Sequence, residues 1–355
     1  MGTGYRPTII DIAKKAGVSF KTVSRVLNHN PHVKEDLRDR VLQAATALNY
    51  RPNLAARSLA GPRNYTLALL MGIRTCDMES QDEWYLPPFL SDLQFLATLA
   101  CQKEGYRLSI EIVDTSPGTS PSALPPGMNA GDIDGVLVAP PLSDSIEIIQ
   151  ALETAKIPYV LIAPGLDPDR AYSVATDEYG GAAAMTEHLL ALGHRRIGFI
   201  KGPEHHLAAI ARMTAYCDVL AKFDAALEPI IEQGDFNFGS GHRAAKALLA
   251  LDNPPTAIFC ANDDMAAGAI AAANELGIRV PSQLSIAGFD DSAAARITSP
   301  ALTTIRQPLG AMATAAIRLL SPAHGEKRAE TQNLVLPYKL IQRASTSSPS
   351  RDGGR

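Results

Sequence analysis

The chain has 355 residues, of which 46% are hydrophobic and 20% charged. This composition suits a soluble globular protein of roughly two to three domains and excludes a disordered chain. No run of about 18 apolar residues is available to span a membrane, and the N-terminus lacks the apolar core and cleavage site of a signal peptide. The expected location is the cytoplasm.

The net charge of −4 is unevenly spread. Residues 1–63 hold eleven Lys/Arg against four Asp/Glu, a surplus of seven positive charges that leaves the remainder at −11. A basic head on an acidic body points to a polyanion at one end and a different ligand at the other. The four cysteines, Cys76, Cys101, Cys217 and Cys260, form no Cys-x-x-Cys pair. They read as buried, reduced thiols and not as metal ligands.

In chain order, Thr8 can cap a helix near 9–16, whose apolar positions Ile9, Ile12, Ala13 and Ala16 keep helical spacing. Gly17-Val18-Ser19 makes a tight turn, and Ser19 can cap a second helix near 20–27 that buries Val23, Val26 and Leu27. A third helix near 35–48 carries Leu37, Val41, Leu42, Ala45 and Leu48. Three short helices with a four-residue turn between the first two form a helix-turn-helix. Residues 53–60 suit one short helix, too short to be stable alone, and Gly61-Pro62 stops it.

The pattern then changes to strands alternating with helices. Strands are expected at 66–71, 107–113, 135–139, 158–162, 196–200, 256–260 and 284–287, and helices near 89–104, 145–155, 178–192, 207–223, 240–251, 263–276 and 308–320. Such alternation implies parallel sheets with helices on both faces. About 280 residues exceed one comfortable open sheet, so two α/β lobes are expected. The Pro/Ser/Gly-rich stretch 115–131 reads as a surface loop. The expected organisation is a head over 1–52, a hinge helix and linker over 53–63, a two-lobed body over 64–340 and a disordered tail over 341–355.

Several strings resemble the lactose/galactose-repressor (LacI/GalR) family. Thr8-Ile-Ile-Asp-Ile-Ala-Lys-Lys-Ala-Gly-Val-Ser-Phe-Lys-Thr-Val-Ser-Arg-Val-Leu-Asn28 is similar to its helix-turn-helix, and Asn49-Tyr-Arg-Pro-Asn-Leu-Ala-Ala-Arg-Ser-Leu-Ala60 to its hinge. Leu192-Gly-His-Arg-Arg-Ile-Gly-Phe199, Ala261-Asn-Asp-Asp-Met-Ala-Ala-Gly268, Ile286-Ala-Gly-Phe-Asp-Asp291 and Leu302-Thr-Thr-Ile-Arg-Gln-Pro308 follow in family order. The resemblance implies a transcriptional repressor with a periplasmic-binding-protein-like body. Its partners would be a palindromic double-stranded DNA operator, a second copy of the chain, and a small effector, a mono- or oligosaccharide. No cofactor and no metal are expected.

A recognition helix sets its N-terminal side chains against base edges in the major groove. Here Phe20 and Lys21 lead, with Ser24 and Arg25 behind them. Lys21 can donate to guanine or to a phosphate, and Phe20 can touch a thymine methyl or instead pack in the head. Thr8, Ser19, Thr22 and Asn28 complete the candidate contacts of the head. By resemblance, Leu59 is a wedge that enters a base step in the minor groove, with Asn53, Ala56 and Arg57 beside it.

By resemblance, Arg212, Phe236, Asn262 and Asp290 hold the effector in the cleft at the strand ends. The alternatives are that Arg212 and Asp290 instead form a structural ion pair between elements, and that Phe236 simply packs in its lobe. Tyr85 could stack on a sugar from a loop, Trp84-Tyr-Leu-Pro-Pro-Phe89, that departs from the family string. Ala139 and Pro140 stand where some sugar-binding members carry polar residues. His205 and His206 read as loop surface, and Asp263 and Asp264 as helix caps. Lys34 precedes the third helix where the family usually places a capping Ser or Thr; Asp36 could compensate through the helix dipole.

Three other readings separate by simple features. A purine- or nucleoside-responsive regulator of the same fold differs only in its effector. A transport-type sugar-binding protein would need a signal peptide and no basic head. An enzyme is disfavoured by the absence of Gly-x-Gly-x-x-Gly after the first strand, of a Walker A loop and of Gly-x-Ser-x-Gly.

Overall fold

A computed structural model of the chain describes residues 7–27, 32–50, 64–73, 86–116, 124–126, 128–167, 170–321 and 332–350. The chain divides into two compact units, Met1–Tyr65 and Thr66–Arg355.

The first unit holds α1 (Ile9–Ala16), α2 (Phe20–Leu27) and α3 (Glu35–Ala47). Thr8 and Asp11 close a capping box at α1, and Gly17 ends it at φ 62°. Arg40 of α3 donates to the carbonyls of Ala16 and Gly17 at 2.6 and 3.4 Å, so the third helix holds the turn between the first two. Ile12, Val23, Val26 and Val41 form the centre of its core. Lys34 makes no side-chain cap at α3; Glu35 and Asp36 sit in the first turn, where the helix dipole favours them.

The second unit contains two six-stranded sheets, ordered β11-β5-β4-β3-β1-β2 and β12-β10-β9-β8-β6-β7. The first sheet is built from β1 (Thr66–Ile73), β2 (Arg107–Asp114), β3 (Gly135–Val138), β4 (Tyr159–Ile162), β5 (Tyr172–Thr176) and β11 (Asn333–Leu336). The second is built from β6 (Ile197–Lys201), β7 (Ile230–Gln233), β8 (Ala257–Cys260), β9 (Ser285–Asp290), β10 (Thr303–Arg306) and β12 (Lys339–Ile341). All pairings are parallel except β10 with β12. Buried strands such as β1 and β9 are apolar on both faces, as a helix-covered parallel sheet requires.

Helices α4 (Pro88–Glu104), α5 (Ile146–Thr154) and α11 (Leu309–Leu320) cover the first sheet; α6 (Glu178–Ala191), α7 (Leu207–Phe223), α8 (Phe238–Leu249), α9 (Asp263–Glu275) and the short α10 (Ala293–Ile297) belong to the second lobe. The chain passes between lobes three times: after β5, after β10 and between β11 and β12. Among the described residues no helix is long and apolar enough to cross a membrane. Cys101 and Cys260 are buried and Cys217 half-buried, all as free thiols; Cys76 lies outside the described residues.

Two expectations need correction. Strands β5, β7, β10, β11 and β12 were not anticipated, because each is only three to five residues long and several are half-exposed edges. In β5 the polar side chains are buried but matched: the Ser173 hydroxyl donates to Asn333 Oδ1 and the Thr176 hydroxyl to the Leu336 carbonyl, both at 3.0 Å.

The tail expected to be disordered over 341–355 is instead ordered through Ser350; residues 351–355 lie outside the described residues. Its hydroxyls mate with backbone groups left unpaired at the strand ends. The Thr303 amide donates to Ser345 Oγ at 2.8 Å, Ser345 Oγ donates to the Ile286 carbonyl at 2.5 Å, and Ser345 is fully buried. Buried His194 lies 2.9 Å from the Ser347 carbonyl. Ser345→Ala leaves the Thr303 amide without its acceptor. Denaturant titration is expected to show a stability loss of about 1–3 kcal/mol. An unchanged midpoint would mean that the tail does not brace the lobe.

Candidate functional site

In the first unit, Ser19 accepts the Thr22 amide at 3.1 Å and caps α2. Val23 and Val26 turn inward, which leaves Ser19, Phe20, Lys21 and Arg25 exposed and Thr22 and Ser24 half-buried. Phe20 is 57% exposed, so it is not a core residue of the head. An aromatic ring in water beside two cations is what a groove-reading surface needs and what a folding core does not. Thr8 is exposed, but its hydroxyl donates to Asp11 at 2.6 Å in the capping box. Asn28, Asn53, Ala56, Arg57 and Leu59 lie outside the described residues, as does Tyr85.

In the second unit the C-terminal ends of the β-strands bring Arg212, Phe236, Asn262 and Asp290 together. Arg212, on α7, is the centre. Its Nε and Nη2 meet one oxygen of Glu178 at 2.8 and 2.7 Å, its Nη1 donates to the Ala261 carbonyl at 2.5 Å, and its Nη2 lies 3.6 Å from Asp290 Oδ1. The guanidinium stacks 3.8 Å over the Phe289 ring and stands 5.9 Å from Phe236. The ion pair that sequence reasoning left open therefore exists, but Glu178 is its closer partner.

Asp290 accepts from Gln307 Nε2 at 2.7 Å. Burial pushes its carboxyl up to about 7, against the pull of Arg212 and Gln307, and nearby Glu178 and Asp264 push the same way. Arg212 stays charged: burial disfavours its cation, but Glu178 and Asp290 outweigh that cost.

Asn262 is committed to structure at both ends of its amide. Its Oδ1 accepts the Met265 amide at 3.0 Å and caps α9, and its Nδ2 donates to the Phe236 carbonyl at 2.8 Å. The cap expected from Asp263 is thus made by Asn262. Asp263 is fully buried and accepts instead from the Ser292 amide at 2.7 Å and the Thr304 hydroxyl at 2.6 Å. Burial pushes the Asp263 carboxyl well up.

Phe236 is half-buried at φ 56°, and a Cβ on Gly202 would lie 2.5 Å from its ring, so a glycine is required there for the ring to sit. His206 departs from the loop-surface expectation. Its ring stands edge-on to Phe236 at 5.1 Å, and its Nδ1 is buried without a hydrogen-bond partner. Burial, then the Arg212 charge, pushes its pKa down to about 4, so the ring is neutral. Gln307 Oε1 is likewise buried and unmatched.

Two family patterns match the chain: "Bacterial regulatory proteins, lacI family" over residues 8–53 and "Periplasmic binding protein-like domain" over residues 186–346. The HTH-type transcriptional repressor PurR of Klebsiella pneumoniae (strain 342) is 33% identical over 343 residues, 96% of this chain and 97% of that protein. The chain belongs to the lacI family of bacterial regulatory proteins. Among solved structures, the transcriptional regulator CelR–cellobiose complex is similar with a TM-score of 0.68 and 30% identity, over 96% of this chain and 100% of that one. The Lac repressor dimer bound to operator and the anti-inducer ONPF has a TM-score of 0.70 and 27% identity, over 97% and 100%.

Within this lacI-family site, sequence reasoning missed Glu178, Phe289 and Gln307. Glu178 reads as a first-turn helix acid after the Asp177 cap, and Phe289 as an ordinary buried strand residue. Gln307 sits inside the string Leu302–Pro308 but carries no spacing signal of its own.

The raised Asp290 carboxyl has a testable consequence. Its folded value near 7 lies above the ordinary Asp value of about 4, so the folded state holds this proton more tightly. That contribution is fully present below about pH 4 and is lost as the pH rises through about 7. Comparing unfolding free energies across this range, wild type should lose stability relative to Asp290→Asn as pH increases. Parallel curves for the two proteins would place the proton elsewhere.

Proposed function

We propose that the protein is a cytoplasmic, homodimeric repressor that grips an operator through α2 and changes that grip when a neutral sugar enters the cleft. The observation that carries the DNA half is the exposed row Phe20, Lys21 and Arg25 on a capped helix in the basic head. Phosphate contacts from Lys and Arg supply affinity and salt dependence, whereas the helix N-terminus supplies base discrimination. Leu59 is the proposed minor-groove wedge, with Asn53, Ala56 and Arg57 on the same short segment.

The effector class follows from charge. Arg212 is already paired with Glu178 and Asp290, and Arg296 and Arg306, which line the cavity beside Asp290 and Gln307, are paired with Asp291, so among the described residues the cleft offers acceptors, an aromatic face and cations that already have carboxylate partners. An anionic ligand would meet a surplus of carboxylate. A polyhydroxyl ligand can donate to Asp290 and Gln307 while Phe236 covers its C–H face. The likeness to a regulator solved with cellobiose supports this reading.

Coupling requires that the sugar bind one arrangement of the lobes better than another, since only differential affinity shifts an equilibrium. Glu178 directly follows the first crossover, and Gln307 lies on the second. A ligand held there touches both connections about which the lobes move. A dimer mirrors a palindromic operator. Phe95 (63% exposed) and Leu99 on α4, with Ile112 on the edge strand β2, are the apolar surface proposed to meet a second copy.

Duplexes selected from a random pool by the wild-type protein provide the DNA test. Lys21→Ala and Leu59→Ala should each weaken binding by about tenfold, equivalent to about 1.4 kcal/mol, with unchanged thermal unfolding. Undiminished affinity in both would remove these residues from the interface. For the effector, neutral sugars including cellobiose and ribose are titrated against the protein–duplex complex. One sugar is expected to change affinity, and Phe236→Ala should abolish its effect while leaving sugar-free binding intact. A response to anionic metabolites alone would contradict the charge argument.

A further inference from the structure

Asp290, the last residue of β9, and Asp291, which follows it, have φ of 112° and 56°. Two consecutive non-glycine residues in the left-handed region persist only where the surroundings impose that geometry. Asp290 uses it to turn its carboxylate toward Gln307 and Arg212. Asp291 turns its carboxylate onto a different set of partners, and its side chain is wholly shielded from solvent.

Three arginines meet the Asp291 carboxylate. Arg343 Nη2 donates to Oδ1 at 2.5 Å, Arg306 Nε to Oδ2 at 2.5 Å, and Arg296 Nη2 stands 3.5 Å from Oδ2. Their side chains differ in exposure: 18% for Arg343, 44% for Arg306 and 62% for Arg296. Solvent screens the two outer arginines, so Arg343 makes the strongest pair. Arg343 is itself fixed. Its Nη1 donates to the Leu302 carbonyl at 2.8 Å, and its amide donates to the Thr303 hydroxyl at 3.0 Å. Burial pushes the Asp291 carboxyl up, but hydrogen bonds from Arg343 and Arg306 outweigh it and hold the pKa below the usual value.

We propose that Arg343, in the C-terminal segment, is a positioning residue for Asp290: by gripping Asp291 it holds the left-handed turn that aims the Asp290 carboxylate into the cleft. The effector site is then built in part from a residue beyond the last strand, outside the cleft. The functional meaning rests on the reading of Asp290 as an effector contact; the geometric coupling does not.

A carboxylate-specific readout separates positioning from simple charge. In protein labelled with ¹³C at Asp carboxyls, the Asp290 signal is assigned by its loss in Asp290→Asn and titrated. The charged or polar groups around it are Arg212, Glu178, Asp263, Asp264 and Gln307, and Asp92, Asp291, Arg296 and Arg306 line the same cavity. Removal of a neighbouring cation alone would raise the Asp290 value. Positioning predicts the opposite in Arg343→Gln: the turn relaxes, Asp290 reaches water, and its value falls from about 7 toward the ordinary carboxylate range. Arg343→Lys, which keeps the charge but loses the two-pronged hold, should move it the same way by less, and it serves as the test should Arg343→Gln fail to fold. Arg296→Gln should leave it in place. An unchanged or raised Asp290 value in the Arg343 variants overturns the proposal. The effector reading stands or falls separately, on the sugar titration of Phe236→Ala.

Discussion

The body is organised around one buried guanidinium. Arg212 has three demands: its charge must be matched, its donors must be used and its flat faces must be covered. Glu178, Asp290 and the Ala261 carbonyl meet the first two, and Phe289 lies against a face. These groups come from the start of α6, the end of β9 and the end of β8, so a single side chain ties one helix start to two strand ends. Breaking such a pair one-sidedly costs about 3–5 kcal/mol, since the remaining charge is stranded in a poor solvent. Two carboxylates around one cation leave a surplus of acid, which Asp290 relieves through its raised affinity for a proton. That balance underlies the proposal that the ligand is uncharged and rich in hydroxyl donors.

The surrounding structure keeps that cluster in register. Asp263 is buried at the first turn of α9 and holds the Ser292 amide and the Thr304 hydroxyl, which fixes the loop after β9 against β10. Gln307 links the same cluster to the second interlobe crossover. The C-terminal segment closes the arrangement from outside, with Ser345 inserted between β9 and β10 and Arg343 on Asp291. Buried polar networks of this kind rigidify a site only when their members are satisfied. Two of the five buried side-chain atoms left unmatched among the described residues, His206 Nδ1 and Gln307 Oε1, lie beside Phe236 and Asp290, the residues proposed to meet the effector.

Much of this was legible in the sequence where local chemistry dominates. Thr8 and Ser19 cap their helices, Gly17 adopts the left-handed turn, and Val23 and Val26 leave Phe20 and Lys21 outward, all from spacing of three and four. Arg212, Phe236, Asn262 and Asp290 converge as the family resemblance implied. What escaped was set by tertiary pairing. A four-residue edge such as β11 shows too few alternations to be distinguished from a loop. Ser345 and Ser347 look like solvated tail residues until the strand ends that need their hydrogen bonds are in place. Glu178 looks like a helix-dipole acid because its partner Arg212 lies 34 residues away. The family resemblance implies Asn262 as a ligand contact, and its spacing gives no sign of the cap on α9 and the hydrogen bond to the Phe236 carbonyl that its amide makes.

The central claim is that the Arg212 cluster, far from any nucleic-acid contact in sequence, sets how tightly the head holds its duplex. Glu178→Gln tests it most directly, since the substitution removes one charge from the cluster and preserves its shape. Affinity for a duplex selected by the wild type is measured at one fixed salt concentration, beside affinity for a scrambled duplex. The account predicts a change of about fivefold or more for the selected duplex and none for the scrambled one. Equal affinities of Glu178→Gln and wild type for the selected duplex would contradict it.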